Sequence, residues 1–361
     1  MDDITLATQT MFAELQQRCL DAEFDEHYTE RGNFKRRRRK GKLYWYYVRA
    51  EDGRRHEEYV GPASDTAISE RINRFATIKS DFRQRQEMVR ALTAARLPVP
   101  DSITGGVVEA MWKAGFFRLR GVLVGTVAYQ CYAGLLGVRL GPATLMTQDA
   151  DFAQFWGIAN SIDDRIPHVL DVLRKVDPSF REIPSLSDPF FTARYQNADG
   201  FKAEFLTPNR GSDDHQSKLS RMKALGGAGA QPLRHLDYLI HEPERSVLLF
   251  RGGTPVTIPR AERYAIHKLI VAAERREQVK SNKDVTQAAT LIGALARHRP
   301  IELADAWDTA MESGPRWRSK LLSGHERLPL AAQQTIQEAI EKRDALVAKT
   351  SRRTAKSIKR V

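Results

Sequence analysis

An apolar run that stops at a glycine constrains this chain more than any other feature of its sequence. Val122–Val124 is followed at once by Gly125 and Thr126. A helix-compatible segment, 127–136, comes next and closes at Gly137. This order predicts a strand, a tight turn and a helix. Backbone N–H groups at the beginning of such a helix suit an anion, and a glycine lets a phosphate approach because it has no Cβ. The alternative is an ordinary strand-to-helix turn that binds no phosphate and has Thr126 as the N-cap residue.

Two aspartates at alternate positions form the second informative feature. Asp149 and Asp151 flank Ala150 in a segment that we expect to be a strand. Side chains alternate along a strand, so both carboxylates point to one face and Ala150 points to the other. Close carboxylates repel each other in a poorly solvated site, and divalent cations between them relieve that repulsion. The alternative is a solvent-facing pair at the end of a strand.

A third acid lies in a predicted hairpin over residues 190–206, which has a glycine-containing turn at 196–200. Glu204 interrupts the apolar character of the second strand, and such a carboxylate costs free energy unless a cation or a hydrogen-bond donor faces it. Lys202 or Arg194 could supply that partner in a purely structural arrangement. Asp199, in the predicted turn, is the rival third acid.

In this order, the glycine turn, the aspartate pair and the strand acid resemble the polymerase β-type nucleotidyltransferase superfamily. Members of that superfamily carry a Gly-Gly or Gly-Ser turn before two metal-binding aspartates and a third acid. This chain departs from the pattern at two positions. Thr126 replaces the second turn residue and keeps a hydroxyl, whereas Glu204 stands where aspartate is commoner.

The likeness extends downstream, and it covers about residues 105–297. A helix with a lysine, followed by an arginine and a Lys-Asp pair, resembles the helical half of the bacterial AbiEii and MenT toxin group. The matching positions are Lys268, Arg275, Lys283 and Asp284. The resemblance implies that Lys268 neutralises a triphosphate, with Arg263 and Arg275 as weaker candidates. The alternative is that Lys268 is a snorkelling surface lysine.

This resemblance implies an enzyme that transfers a nucleoside monophosphate from an NTP to an acceptor hydroxyl, with Mg²⁺ or Mn²⁺ as cofactor and pyrophosphate as product. The implied catalytic and metal-binding residues are Asp149, Asp151 and Glu204, and the implied nucleotide-binding residues are Gly125, Thr126 and Lys268. RNA is the favoured acceptor, with a tRNA 3′ end and a toxin-like role as the specific case. An antitoxin or a protein target is a further expected partner. The alternatives are nucleotidylation of a protein or small molecule, and a non-catalytic nucleic-acid or partner-binding protein that retains the fold.

Basic residues beside aromatic ones favour RNA as the partner. The formal net charge is +12, and a run of cations at 35–42 directly precedes an aromatic run at 44–47. Cations bind phosphates and rings stack on bases. The expected nucleic-acid-binding residues are Arg36, Arg37, Arg38, Arg39, Tyr44 and Trp45. The alternative is that the aromatic residues form a small core and the basic run is a solvated edge that deters aggregation.

Bulk composition excludes several classes of protein. Only two cysteines are present, Cys19 and Cys131, so neither a disulfide framework nor a cysteine metal site is expected. No apolar run approaches the roughly 18 residues of a membrane span, and the first residues lack the pattern of a secretory signal. We therefore expect a cytoplasmic protein without a membrane partner, and the resemblance to the AbiEii and MenT group implies a bacterial one.

The chain is expected to be an α+β protein, in which a small mixed sheet is flanked by helices. A C-terminal helical bundle should follow this sheet, and a helix plus a three-stranded antiparallel meander with turns at 40–41 and 52–53 should precede it. The expected divisions are an accessory module at 1–100, a catalytic domain at 101–258, a helical domain at 259–350 and a disordered basic tail at 351–361. Strands are predicted at 236–240 and 246–250, and helices at 8–24, 65–97, 166–176, 259–278, 283–296, 301–322 and 328–349.

Overall fold

The computed structural model describes residues 2–22, 32–39, 42–51, 54–141, 145, 147–161, 165–185, 188, 190–210 and 218–358. Helices and strands both account for a large part of these ranges, and the strands form several separate sheets. The predicted α+β class is therefore confirmed.

The helices are α1 (Leu6–Ala22), α2 (Thr66–Ala94), α3 (Ser102–Lys113), α4 (Gly125–Leu136), α5 (Trp156–Ser161), α6 (Val169–Arg174), α7 (Leu236–Leu239), α8 (Ala261–Glu274), α9 (Gln278–His298), α10 (Pro300–Glu312), α11 (Pro315–His325) and α12 (Leu330–Ile358). The strands are β1 (Asn33–Arg39), β2 (Lys42–Glu51), β3 (Arg54–Pro62), β4 (Val122–Val124), β5 (Asp149–Ala153), β6 (Arg181–Glu182), β7 (Arg194–Gln196), β8 (Lys202–Pro208), β9 (Ser220–Arg221), β10 (Gly229–Leu233), β11 (Glu244–Leu248) and β12 (Thr254–Ile258).

The N-terminal sheet consists of β1, β2 and β3, which pair antiparallel in chain order. The predicted turns at 40–41 and 52–53 lie outside the described residues. Tyr47 of β2 is buried, and its ring lies 5.2 Å from Phe34 and 6.0 Å from Phe75 of α2, between ring centroids. One face of the sheet is thus held against α2 by aromatic packing.

The central sheet has the strand order β4-β5-β8-β10-β9. Its middle strands β5, β8 and β10 run parallel to one another, whereas β4 and β9 are antiparallel to their neighbours. Strand β7 pairs antiparallel with the beginning of β8, and β6 pairs with β7. This mixed sheet places the beginnings of β5 and β8 side by side, next to the end of β4.

The predicted strand, turn and helix around Gly125 form as expected. The three side chains of β4 are buried, and α4 begins directly at Gly125. The helix ends at Gly137, which has a left-handed φ of 67°. Both Gly125 and Gly137 therefore have a positive φ, which residues with a Cβ rarely adopt.

Two hydrophobic clusters connect the parts of the chain. The larger one joins the central sheet to the C-terminal helices without a break at residue 258. The smaller one forms where α1 and the end of α2 pack on β11 and the residue that follows it. Its members include Phe12, Leu15, Cys19, Leu92, Val247 and Leu249.

Two predicted elements are wrong in kind or extent. Residues 236–240 form the short helix α7 instead of a strand, because Leu236, Leu239 and Ile240 are buried together at helical spacing. The single helix predicted at 301–322 is two helices, α10 and α11. Gly314 separates them with a φ of 119°, a conformation that a helix cannot contain.

Other predicted boundaries shift. The first strand of the predicted hairpin begins at Arg194 and not at residue 190, and the strand predicted at 246–250 is β11 at Glu244–Leu248. The predicted disordered tail is wrong for residues 351–358, which continue α12. After Pro329 the sequence contains no glycine or proline to end that helix. Residues 359–361 lie outside the described ranges.

Within the described ranges, every helix is too short or too polar to cross a lipid bilayer.

The packing of α1 generates a stability prediction. Leu15 is fully buried in the smaller cluster, whereas Leu6 of the same helix is 77% exposed. Leu15→Ala should destabilise the protein by about 2–5 kcal/mol, because it removes buried methyl groups and leaves a cavity. The matched variant Leu6→Ala should change stability by less than about 0.5 kcal/mol. Urea unfolding measures both, and equal midpoints would show that α1 is not packed as described.

Candidate functional site

Gly125 forms a turn that no other residue could form without strain. Its φ is +69°, and a Cβ at this position would overlap the Asp151 carboxylate oxygen Oδ2. Val124, and not Thr126, is the N-cap residue of α4, and its side chain makes no capping bond. The alternative in which Thr126 caps the helix is therefore wrong. The beginning of α4 therefore lies beside the Asp151 carboxylate.

Strand register brings the three predicted acids to one face of the sheet. In β5, Asp149 and Asp151 are partly exposed while Ala150 is buried, as alternation predicts. Asp151 pairs with Val124 of β4 on one side and with Glu204 of β8 on the other. The turn, the aspartate pair and the third acid thus come from three adjacent strands.

The electrostatics of Asp151 reflect this crowding. Burial, the charge of Asp149 and the charge of Glu204 raise the pKa of Asp151 from its usual 3.8 to about 8. The cations Lys268 and Arg275 oppose that rise without cancelling it. Negative charge therefore exceeds positive charge at Asp151. Oxygen donors in such surroundings suit a divalent cation of the Mg²⁺ type.

The side chains of the other two acids currently contact protein groups. The Thr147 hydroxyl donates a hydrogen bond to the Asp149 carboxylate, and Arg194 Nε lies 3.5 Å from Glu204 Oε1. Among the described residues, no three His, Cys, Asp or Glu side chains are grouped so that they could hold one metal ion. The strands thus hold three carboxylates, which are suitable oxygen donors for a cation, on one face of the sheet. Their side chains would have to rotate before all three could bind the same ion. The rival Asp199 is exposed in the hairpin turn and lies outside this face.

Helices α8 and α9 provide the opposite charge. Lys268 Nζ lies 2.6 Å from Asp284 Oδ1, and Arg275 Nε lies 2.5 Å from Asp284 Oδ2. Lys268 is buried, so the snorkelling alternative is wrong. Burial and Lys268 lower the pKa of Lys283, while Asp149 and Asp284 oppose the shift. Lys268 and Arg275 therefore share one buried aspartate, and Lys283 lies within electrostatic reach of both Asp284 and Asp149.

The weaker candidate Arg263 is directed elsewhere. Its Nη1 donates to the carbonyl of Tyr238 at 3.3 Å, and its guanidinium lies 5.0 Å from that tyrosine ring. Arg263 therefore stabilises the contact between α7 and α8.

Sequence reasoning missed three contacts of the site. These are the Thr147 bond to Asp149, the sharing of Asp284 by two cations, and a bond of 3.0 Å from the Tyr264 hydroxyl to the carbonyl of Gly125. The Lys-Asp pattern at 283–284 was a usable signal for the second contact. Nothing local marks Tyr264, because its partner is distant in the sequence.

The expected nucleic-acid-binding residues divide between the two faces of the N-terminal sheet. Arg36 pairs with Trp45 in register, and its guanidinium lies 5.3 Å from the indole centroid. Arg38 is exposed on that same face, which farther along the strands carries Phe34 and Tyr47 and packs on α2. Arg37 and Tyr44 lie on the opposite face, where Arg37 Nη2 is 2.9 Å from Glu57 Oε1. The side chain of Arg39 lies outside the described part of the chain.

The raised pKa of Asp151 generates a pH prediction for protein kept in a chelator. Between pH 4 and pH 8 the folded state retains a proton that the unfolded state releases, so stability falls as the pH rises through this window. Asp151→Asn removes that dependence. The thermal midpoint of the variant should therefore rise, relative to the parent, from pH 5 to pH 9. The control Asp199→Asn alters an exposed carboxylate and should follow the parent. Parallel profiles for Asp151→Asn and the parent would contradict the prediction.

Comparison with known proteins agrees with this geometry. The family model described as nucleotidyltransferase matches residues 102–312, more than half of the 361-residue chain. No curated protein and no solved structure matches the chain. The matched region contains the Gly125 turn, the three acids and the cluster around Asp284. The chain belongs to the nucleotidyltransferase family.

Proposed function

We propose that this chain transfers a nucleoside monophosphate from an NTP to a hydroxyl group of RNA and uses divalent cations to do so. The observation that carries the proposal is the register of β4, β5 and β8. It places Asp151 against the Gly125 turn and opposite Glu204. A phosphate-binding turn beside paired carboxylates is the arrangement that metal-assisted phosphoryl transfer requires.

Asp149, Asp151 and Glu204 would hold Mg²⁺ or Mn²⁺. When bound, such ions neutralise charge on the triphosphate and make the acceptor hydroxyl easier to deprotonate. The Thr147 hydroxyl orients Asp149, and Arg194 holds Glu204 near the start of β8. Both contacts keep the acids on one face in the absence of substrate.

The polar groups of the turn and the two helices bind the nucleotide. Backbone N–H groups of Gly125 and Thr126 hold the terminal phosphates at the N-terminus of α4. Lys268 and Arg275 supply positive charge to the same phosphates, and Asp284 orients both side chains.

The transfer step exchanges one bond at the α-phosphorus of the NTP for another. The acceptor oxygen forms a bond to the α-phosphorus, and the bond from that phosphorus to the bridging oxygen breaks, so pyrophosphate leaves. Glu204 accepts the proton of the acceptor hydroxyl.

Charge and surface features support RNA as the acceptor. The chain has a net charge of +12, and exposed Arg36 and Arg38 share a sheet face with Trp45. The resemblance to AbiEii and MenT proteins supports a tRNA 3′ end as the specific acceptor. It also supports a toxin role with an antitoxin as partner.

The test is incubation of the full chain with each labelled NTP, Mg²⁺ or Mn²⁺, and total bacterial RNA or protein. Label in RNA supports the proposal, and label at tRNA 3′ ends supports its specific form. Label in protein alone would overturn the choice of acceptor. Absence of label with every nucleotide and both metals would overturn nucleotidyl transfer itself.

The acid triad generates a prediction about rate. Asp151→Ala should lower kcat/KM on the order of a thousandfold, about 4 kcal/mol of transition-state stabilisation. Glu204→Gln keeps the volume of the side chain but cannot accept the proton, so it should lose activity to a similar extent. Asp199→Asn is the matched control and should retain the rate of the parent. Inactivity of Asp199→Asn with normal Glu204→Gln would assign the third acid to the turn.

The two faces of the N-terminal sheet generate a prediction about salt dependence. Each phosphate contact with single-stranded RNA contributes a slope of roughly −0.7 to the plot of log affinity against log salt. The double variant Arg36→Gln/Arg38→Gln should flatten the slope by roughly 1.4. Arg37→Gln, on the opposite face and paired with Glu57, should change it less. Trp45→Ala should weaken binding with little change of slope, because stacking releases few ions.

Filter binding of RNA over a salt series measures these slopes, and NTP binding serves as the internal control. If the double variant and Arg37→Gln behave alike, the face that carries Trp45 is not the RNA surface. If no variant alters RNA binding at any salt concentration, the basic run is a solvated edge.

A further inference from the structure

We propose that Tyr264 is a positioning residue that holds the phosphate-binding turn in its working conformation. The inference rests on the proposed function, because it assigns a phosphate to that turn. Tyr264 lies in α8 and is buried. Its hydroxyl donates to the carbonyl of Gly125 at 3.0 Å, although 139 positions separate the two residues in the chain.

The carbonyl of Gly125 controls the direction of the next N–H group. Gly125 and Thr126 share one planar trans peptide, in which C=O and N–H point in opposite directions. A hydrogen bond that fixes the Gly125 carbonyl toward Tyr264 therefore aims the Thr126 N–H away from the tyrosine. Asp151 occupies the Cβ side of Gly125. The turn is thus restrained by Asp151 on one side and by Tyr264 on the other.

Tyr264 is itself held firmly. Its ring stacks on Tyr129 with centroids 6.0 Å apart and meets the edge of Tyr132 at 5.2 Å. Burial is the largest of the effects that raise the pKa of Tyr264 well above its usual value, so the hydroxyl keeps its hydrogen. The Gly125 carbonyl and Gln287 Oε1, which lies 3.1 Å from the hydroxyl, share that single hydrogen. The tyrosine hydroxyl is therefore located between the turn and α9.

The same pair of helices carries the proposed phosphate-binding cation. Lys268 follows Tyr264 by one helical turn in α8, and Asp284 precedes Gln287 by one turn in α9. Two contacts between side chains, Tyr264 with Gln287 and Lys268 with Asp284, thus join α8 to α9 side by side. Tyr264 extends this pairing to Gly125. The hydroxyl of Tyr264 thus links the turn to the helix that carries Lys268.

Tyr132 provides a matched control within the same aromatic cluster. It is also buried, and its hydroxyl donates to a backbone carbonyl, that of Pro259, at 2.7 Å. Tyr264→Phe and Tyr132→Phe each remove one buried hydroxyl and keep the ring. Only Tyr264→Phe removes a bond to the turn.

The first experiment measures binding of each NTP with Mg²⁺, and KM for the NTP and the acceptor, in the full chain. Tyr264→Phe should weaken NTP binding and raise its KM about tenfold, with the KM for the acceptor unchanged. Tyr132→Phe should match the parent in both. Thermal unfolding of the two variants checks that they lose similar stability. Equal effects of both variants on the NTP, or no effect of either, would overturn the proposal.

The second experiment needs no nucleotide. Amide hydrogen exchange over residues 122–130 should become faster in Tyr264→Phe than in the parent, because the turn loses its restraint, while Tyr132→Phe should leave these amides unchanged. If the parent neither binds nor transfers nucleotides, the proposed function fails, and exchange still decides whether Tyr264 fixes the turn. Unchanged exchange in Tyr264→Phe would overturn that role even if transfer is observed.

Discussion

The close approach of the Asp151 carboxylate to Gly125 is the constraint on which the site depends. Antiparallel pairing of β4 with β5 sets Val124 opposite Asp151, so the next residue along the chain must turn directly over a carboxylate. Only glycine leaves room there, and only glycine adopts its φ of +69° without strain. The contact places the beginning of α4, whose N–H groups favour an anion, beside a carboxylate that repels one. Under the proposed function, a triphosphate would enter this space together with cations.

The chain supplies part of that positive charge and restrains it before any ligand arrives. Lys268 and Arg275 share Asp284, which offsets the cost of burying a lysine in the absence of an anion. The acidic face is compensated less completely, because Lys268 and Arg275 oppose the rise in the pKa of Asp151, which burial, Asp149 and Glu204 cause, without cancelling it. Folding therefore leaves a deficit of positive charge next to the carboxylates and a reserve of it on α8 and α9. Binding of a metal-nucleotide complex would bring positive charge to the carboxylates, and its phosphates would contact the cations on α8 and α9.

Local sequence patterns were sufficient for the acidic face and insufficient for the contacts that hold it. The alternation of Asp149, Ala150 and Asp151 indicates a shared face because strand periodicity is local. The pairing of Asp151 with Glu204 depends on a parallel crossover, and the bond between Tyr264 and Gly125 depends on the docking of α8, so neither follows from spacing. Short apolar runs such as 236–240 fit a helix and a strand equally well, and burial by distant helices decides between them.

The N-terminal segment, residues 1–100, also supports the turn structurally. Phe12 of α1 packs where Gly134 of α4 has no side chain, so α1 lies directly on the helix that begins at Gly125. The same cluster covers Val247 and Leu249. Removal of residues 1–100 would therefore expose apolar surface of α4 and β11 as well as delete the basic sheet. Substitution of the exposed sheet residues Arg36 and Arg38, unlike truncation, would separate binding of an acceptor from the folding that shapes the proposed nucleotide site.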